Sequence, residues 1–162
     1  MYANNETGVK QPIEKIGQIL ENKDIIFHTD AVQVMCKEKI FPKDLKIGAM
    51  TVTAHKFDGP KGTGFVYIDK KFQIEKEIWG GSQERNRRAG TENIQGILGL
   101  GAAMEEAYEN MERIEATEEE IHEYLERRLK NEIEDIKING EKSHRLKTIT
   151  NLCLKGCDVQ TL

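Results

Sequence analysis

Two periods of apolar spacing divide this chain. Met1–Ala3 is a short apolar run that stops at Asn4-Asn5-Glu6-Thr7-Gly8, the composition of a strand end passing into a turn. Pro12 stands where a first helical turn would begin, a place that tolerates its missing N–H. Ile13, Ile16 and Leu20 follow at helical spacing. Three β-type runs come next: Ile25–Asp30, Ala49–Thr53, which leads into Ala54-His55-Lys56, and Gly64–Ile68, which follows a glycine-rich turn. Strand, helix, strand, connection, strand predicts an α/β layer architecture. Ligands of such sheets sit beyond the carboxyl ends of the strands. Asn5, Asp30 and Lys56 all fall at such ends, the first reason to group them.

Beyond residue 90 the pattern becomes helical. Ile94, Ile97, Leu98, Met104, Tyr108 and Met111 predict a long helix with Thr91 as its N-cap. A second predicted helix runs from Thr117 to Asp135, with Ile121, Leu125, Leu129 and Ile133 on one face. Glu123 with Arg127, and Glu126 with Lys130, are favourable i,i+4 pairs on it. Ile136–Ile138 and Ile149–Leu154 predict two strands, and residues 158–162 the opening of a helix. The expected domain seam lies between Glu112 and Thr117, giving units 1–114 and 115–162. A sheet made of these strands alone leaves an unpaired edge, which invites association.

Composition narrows the function classes. A chain of 162 residues suits one domain or one and a fraction, and an apolar share of 38% is modest for its core. Charged residues make up 32%, yet the net charge is only −4, which argues against nucleic acid as a partner. There is no apolar run of bilayer length and no signal peptide before the first polar residues, so a cytoplasmic, membrane-free protein is expected. Cys36, Cys153 and Cys157 are an odd, sparse set that reads as reduced thiols. Cys153 and Cys157, spaced C-x3-C with His144 nearby, fall short of a four-ligand zinc site, and no metal is expected.

The strand ends carry the candidate chemistry. A surface lysine is usually only solvated, but Lys56 follows a strand, adjoins His55 and precedes Phe57 and a Gly59-Pro60 turn. Desolvation at such a place would favour the neutral amine that a Schiff base needs. Asp30 could simply end a strand or cap a turn; it is also the acid that a pyridine nitrogen requires to stay protonated. Gln33, three residues on, could reach a phenolic oxygen or could be exposed. Thr53 and His55 flank Ala54 and could both donate to a phosphate, although a strand threonine is ordinary. Gly59–Gly64 matches neither the dinucleotide nor the Walker pattern and reads as a backbone turn. Residues 79–91 join glycines, Arg85, Arg87 and Arg88, and a helix N-terminus, either an anion site or a solvated basic loop.

Five segments then resemble one family. N-N-E-T-G at 4–8, H-T-D-A-V-Q at 28–33, T-A-H-K at 53–56, G-P-K-G-T-G at 59–64 and R-R-A-G-T-E-N at 87–93 have the order and spacing of cysteine desulfurases. These are class V aminotransferase-like enzymes of the fold-type I pyridoxal-phosphate architecture. H-T-D-A-V-Q with R-R-A-G-T-E-N resembles the group that supplies sulfur for iron–sulfur clusters and tRNA thiolation. The resemblance implies part of a large domain with a mainly parallel sheet, followed by the start of a small α+β domain. It implies pyridoxal 5′-phosphate covalently held on Lys56, Asp30 at the pyridinium nitrogen, Gln33 at the phenolic oxygen and Asn5 on the same side of the ring or substrate. Thr53 and His55 would bind the phosphate, and Thr91 would reach the phosphate of a partner subunit, implying a homodimer.

The family's ring-stacking histidine, its catalytic cysteine and its substrate-binding arginine match no position here, and Cys36, Cys153 and Cys157 do not match the catalytic cysteine. The expectation is therefore an internal fragment of an enzyme acting on L-cysteine, with a sulfur-acceptor or iron–sulfur scaffold protein as a further partner and the chain alone inactive. Two rivals are a non-catalytic module pairing with a complementary chain or scaffold, and another class V enzyme such as an aminotransferase or selenocysteine lyase.

Overall fold

The computed structural model describes residues 1–157; the helix opening expected at 158–162 lies outside the described residues. The elements run α1 (Ile13–Leu20), β1 (His28–Asp30), β2 (Ala49–Thr53), a 3-10 turn (Ala54–Lys56), β3 (Gly64–Ile68), the four-residue turn α2 (Gln83–Asn86), α3 (Ile94–Glu109), α4 (Met111–Glu132), β4 (Ile136–Ile138) and β5 (Leu152–Leu154).

β2 is the middle of a three-stranded sheet. It pairs in parallel with β1, Asp30 opposite Thr51, and antiparallel with β3, Thr53 opposite Gly64. Met50 and Val52 alternate into the core, the period-2 signature of a strand with one covered face. The core gathers Ile13 from α1, Ala31, Val34, Met35 and Ile40 from the segment after β1, Ile47, and Ala54 and Phe57 from the turn after β2. Leu100, Ala103, Met104, Ala107 and Tyr108 bring α3 onto it. α1 can approach closely because residue 17 is glycine: a Cβ there would stand 2.1 Å from the Leu45 carbonyl oxygen.

β2, β3 and β4 have the bounds that the sequence predicts; other elements shift. Met1–Ala3 forms no strand, only a bridge from Ala3 to Lys10. β1 starts at His28, with Ile25 and Ile26 exposed. Thr91 does not cap α3; Asn93 does, its Oδ1 accepting from the Gly96 N–H at 3.1 Å. α4 begins at Met111 rather than Thr117, so residues 112–117 are helical throughout. Asn110 ends α3 and opens α4, and buried Met111 gives the new helix its first anchor. β5 is confined to Leu152–Leu154 and pairs with β4 in a separate two-stranded sheet.

The inward face of α4 is not its apolar stripe. It buries Met111, His122 and Glu126, while Ile121, Tyr124 and Leu125 are exposed. Glu126 pairs with Arg145 and not with Lys130, which reaches Glu141, and Arg127 lies over the Tyr124 ring. Among the described residues, no helix is long and apolar enough to cross a membrane. No group of three or more His, Cys, Asp or Glu residues among them could hold a metal ion.

Candidate functional site

The carboxyl ends of β1 and β2 lie side by side because these strands are parallel neighbours. Asp30 closes β1, and its carbonyl accepts from the Tyr2 N–H at 2.7 Å. Ala31 then donates to the Thr51 carbonyl at 2.9 Å, tying this end to β2. Asp30 Oδ1 accepts from the Val32 N–H at 2.9 Å, the turn-forming role open to any aspartate. The carboxylate keeps further lone pairs for a ligand donor.

β2 runs on through Thr53 into the Ala54–Lys56 turn. Ala54 and Phe57 are buried and hold this turn against the core. The Phe57 and Gly59 N–H groups both donate to the Ala54 carbonyl at 3.0 Å, which leaves His55 and Lys56 exposed on a fixed support. The sequence allowed for a partly desolvated Lys56; among the described residues the lysine is exposed and no element covers it. Thr53 Oγ1 lies 3.0 Å from His55 Nδ1 and 3.3 Å from the Thr63 carbonyl. With the hydroxyl proton on the shorter bond, His55 Nε2 carries the other proton and is a donor for an anion.

Gln33 is buried, against the bland alternative of an exposed side chain. Asn5 is exposed on the turn after Ala3. Its neighbour Asn4 builds that turn: Asn4 Oδ1 accepts from Glu6 N–H at 2.9 Å, Thr7 N–H at 2.8 Å and Thr7 Oγ1 at 3.1 Å. Thr91 is exposed between α2 and α3, and no hydrogen bond among the described residues links it to the others. The turn before it carries left-handed backbone at Glu84, Arg85 and Asn86, three consecutive non-glycine residues.

Lys37, four residues beyond Gln33, was not singled out in the sequence. Its Nζ donates to Thr148 Oγ1 at 2.8 Å. Burial holds its pKa below the usual lysine value; the Glu118 charge opposes this, and the nearby Lys56 charge adds to it. The i,i+4 spacing from Gln33 was the available signal. Cys36 is buried, and that burial pushes its thiol up to about 11, so it stays neutral near pH 7. Cys153 and Cys157 are exposed.

Residues 1–162 match the aminotransferase class-V family, and the chain belongs to that family. It is 43% identical over 164 residues to a cysteine desulfurase IscS of Clostridium botulinum (strain Hall), covering 100% of this chain and 41% of that protein. Cysteine desulfurase IscS of Dictyoglomus turgidum is 43% identical over 146 residues, 90% of this chain and 37% of its own length. The solved NifS-like protein from Rickettsia africae ESF-5 superposes with a TM-score of 0.95 at 33% identity, over 99% of this chain and 44% of that one. SspA, solved in complex with cysteine, gives 0.77 at 34% identity over 95% and 42%. The chain thus spans well under half of these relatives, and its mixed α/β sheet with helices is that of part of a fold-type I pyridoxal-phosphate enzyme. Proteins of this family depend on that cofactor.

The donor set suits such a group. An exposed primary amine, a carboxylate on the neighbouring strand and a hydroxyl–imidazole pair are the kinds of group that would serve as imine former, acid and anion donors for a phosphorylated pyridine aldehyde.

Proposed function

We propose that this chain carries the lysine-bearing part of the pyridoxal-phosphate site of a cysteine desulfurase. The reaction converts L-cysteine and an enzyme thiol to L-alanine and an enzyme persulfide, for sulfur delivery to iron–sulfur clusters or tRNA thiolation. One observation carries this reading: Thr53, His55 and Lys56 leave the end of one strand together, beside Asp30 at the end of its parallel neighbour. When bound, the cofactor supplies an electron sink for the substrate carbon.

In this reading Lys56 would hold the cofactor and would move protons. Asp30 would keep the pyridine nitrogen protonated, Gln33 would donate to the phenolic oxygen, and Asn5 would serve the same side of the ring or the substrate. Thr53 and His55 bind the phosphate, and Thr91 serves the phosphate of a partner subunit in a cytoplasmic homodimer. Residues 1–114 belong to a cofactor domain and 115–162 to the start of a smaller one. The persulfide thiol is none of Cys36, Cys153 and Cys157, so the chain alone does not turn over.

Titration with pyridoxal 5′-phosphate should give a visible absorbance band that Lys56→Ala removes. A band of undiminished strength in Lys56→Ala would place the attachment elsewhere. Sustained alanine release from L-cysteine by the chain alone would overturn its inactivity.

A further inference from the structure

A buried ionic cluster stands apart from the strand ends. Arg145 Nη2 meets both carboxylate oxygens of Glu126, at 2.9 and 3.2 Å, and the two side chains are only 7% and 12% exposed. Glu126 Oε1 is also 3.1 Å from His122 Nε2 and accepts from Thr150 Oγ1 at 3.3 Å. Thr150 Oγ1 lies 3.3 Å from His122 Nδ1, and Arg145 Nη1 donates to the Ile149 carbonyl at 3.4 Å. α4 thereby grips both ends of the segment 145–150.

That segment is bonded to the turn that bears Asn5. Arg145 bridges Val9 in antiparallel fashion. Leu146 N–H donates to the Gly8 carbonyl at 2.9 Å, Lys10 N–H to the His144 carbonyl at 2.9 Å, and Asn151 Nδ2 to the Glu6 carbonyl at 3.3 Å. The contact is tight as well as directional. Gly8 has a φ of 73°, and a Cβ there would stand 3.1 Å from Ile149 Cβ. Asn4 N–H to the Val9 carbonyl and Gly8 N–H to the Asn4 carbonyl, both 2.9 Å, close the turn around Asn5.

We propose that Arg145 and Glu126 are positioning residues for the Asn5 turn, transmitting the placement of α4 to the cofactor side of the sheet. The role of Asn5 toward the cofactor rests on the function proposed above; the mechanical link does not. A charged pair with two directional bonds fixes orientation in a way that apolar contact cannot. The chain's own ionic cluster is thus part of the site's support, although none of its members touches Lys56.

Amide hydrogen exchange on the 162-residue chain tests the link. Arg145→Met should speed exchange at Glu6, Thr7, Gly8 and Lys10 by about tenfold while leaving Val52 and Phe65 in β2 and β3 unchanged, the signature of local opening. Arg145→Lys should restore part of the protection. Equal acceleration in the sheet, or no change across residues 6–10, would overturn the proposal. Should Arg145→Met fail to fold, Glu126→Gln is read in the same way. Cofactor titration adds a second readout. If Arg145 acts through Asn5, the double variant Asn5→Ala/Arg145→Met should bind no more weakly than Asn5→Ala alone, and additive losses would sever that route. A visible band surviving in Lys56→Ala would defeat the cofactor reading while leaving the exchange result to decide the mechanical link.

Discussion

The surroundings of β2 and those of α4 are held by different means. Around β2 the interior is mainly apolar: Ala31, Val34, Ile47 and Ala54 are at most 2% exposed, Thr29 and Gln33 are buried polar exceptions, and Asn5, His55, Lys56 and Thr91 stand exposed outside it. Around α4 the buried side chains include His122 and Glu126, while Ile121, Tyr124 and Leu125 face outward. Hydrophobic burial is non-directional and proportional to area, so it stabilises a scaffold without engaging the polar groups at strand ends. Charge-assisted hydrogen bonds are directional, so the α4 cluster fixes where segment 145–150 sits and, through it, the turn at Asn5. One region supplies stiffness and the other supplies aim.

The sharpest way to break this contrast is to remove one buried charge. Arg145→Met leaves the buried Glu126 carboxylate with only His122 and Thr150 as partners and should cost about 3–5 kcal/mol in denaturant unfolding, the range for a severed buried pair. Ile47→Ala, 2% exposed in the apolar unit, should cost about 2–5 kcal/mol through lost burial and a cavity. The discriminating readout is ionic: replacing both Arg145 and Glu126 with apolar residues should recover much of the first loss. If the double replacement is as unstable as Arg145→Met, the buried charge is not what the single change exposes.

A smaller effect separates the thiols. Cys36 is held neutral by burial, its pKa pushed up to about 11, while Cys153 and Cys157 are exposed. A raised folded-state value means that the stability from keeping this thiol neutral is fully present below its ordinary value of 9.0 and is lost as pH rises through about 11. Thiol counting near pH 8 should therefore find two fast-reacting groups and one that reacts only on unfolding. Three fast thiols would show that the apolar unit is not closed around Cys36. The smallest change is expected on the outward stripe of α4: Leu125→Glu should alter stability by less than about 0.5 kcal/mol, as for other exposed positions. A larger loss would mean that this stripe is covered.

Much of the sheet was legible in the chain. Ala49–Thr53, Gly64–Ile68 and Ile136–Ile138 are strands with the predicted bounds, because alternation and turn residues are local signals. Asp30 and Lys56 were readable as strand-end residues for the same reason. The misses have local rivals or distant partners. Thr91 and Asn93 are both acceptable caps, and the backbone chose the one whose oxygen reaches Gly96. The Ile25–Phe27 run reads as strand, but the ladder with β2 begins at His28, where Ala49 stands opposite.

α4 shows the limit most clearly. The sequence put Ile121, Leu125, Leu129 and Ile133 on one face and paired Glu126 with Lys130. Arg145, 19 residues away from Glu126 along the chain, takes that carboxylate inward instead. Sequence spacing alone determined which residues could sit at strand ends and which segments could be helices, because those choices depend on neighbours within one turn or pleat. Tertiary structure decided that Gln33 is buried, that Lys56 is exposed on a braced turn and that Glu126 faces Arg145. Each of these depends on groups far apart in sequence, and only the packed chain brings them within hydrogen-bond range.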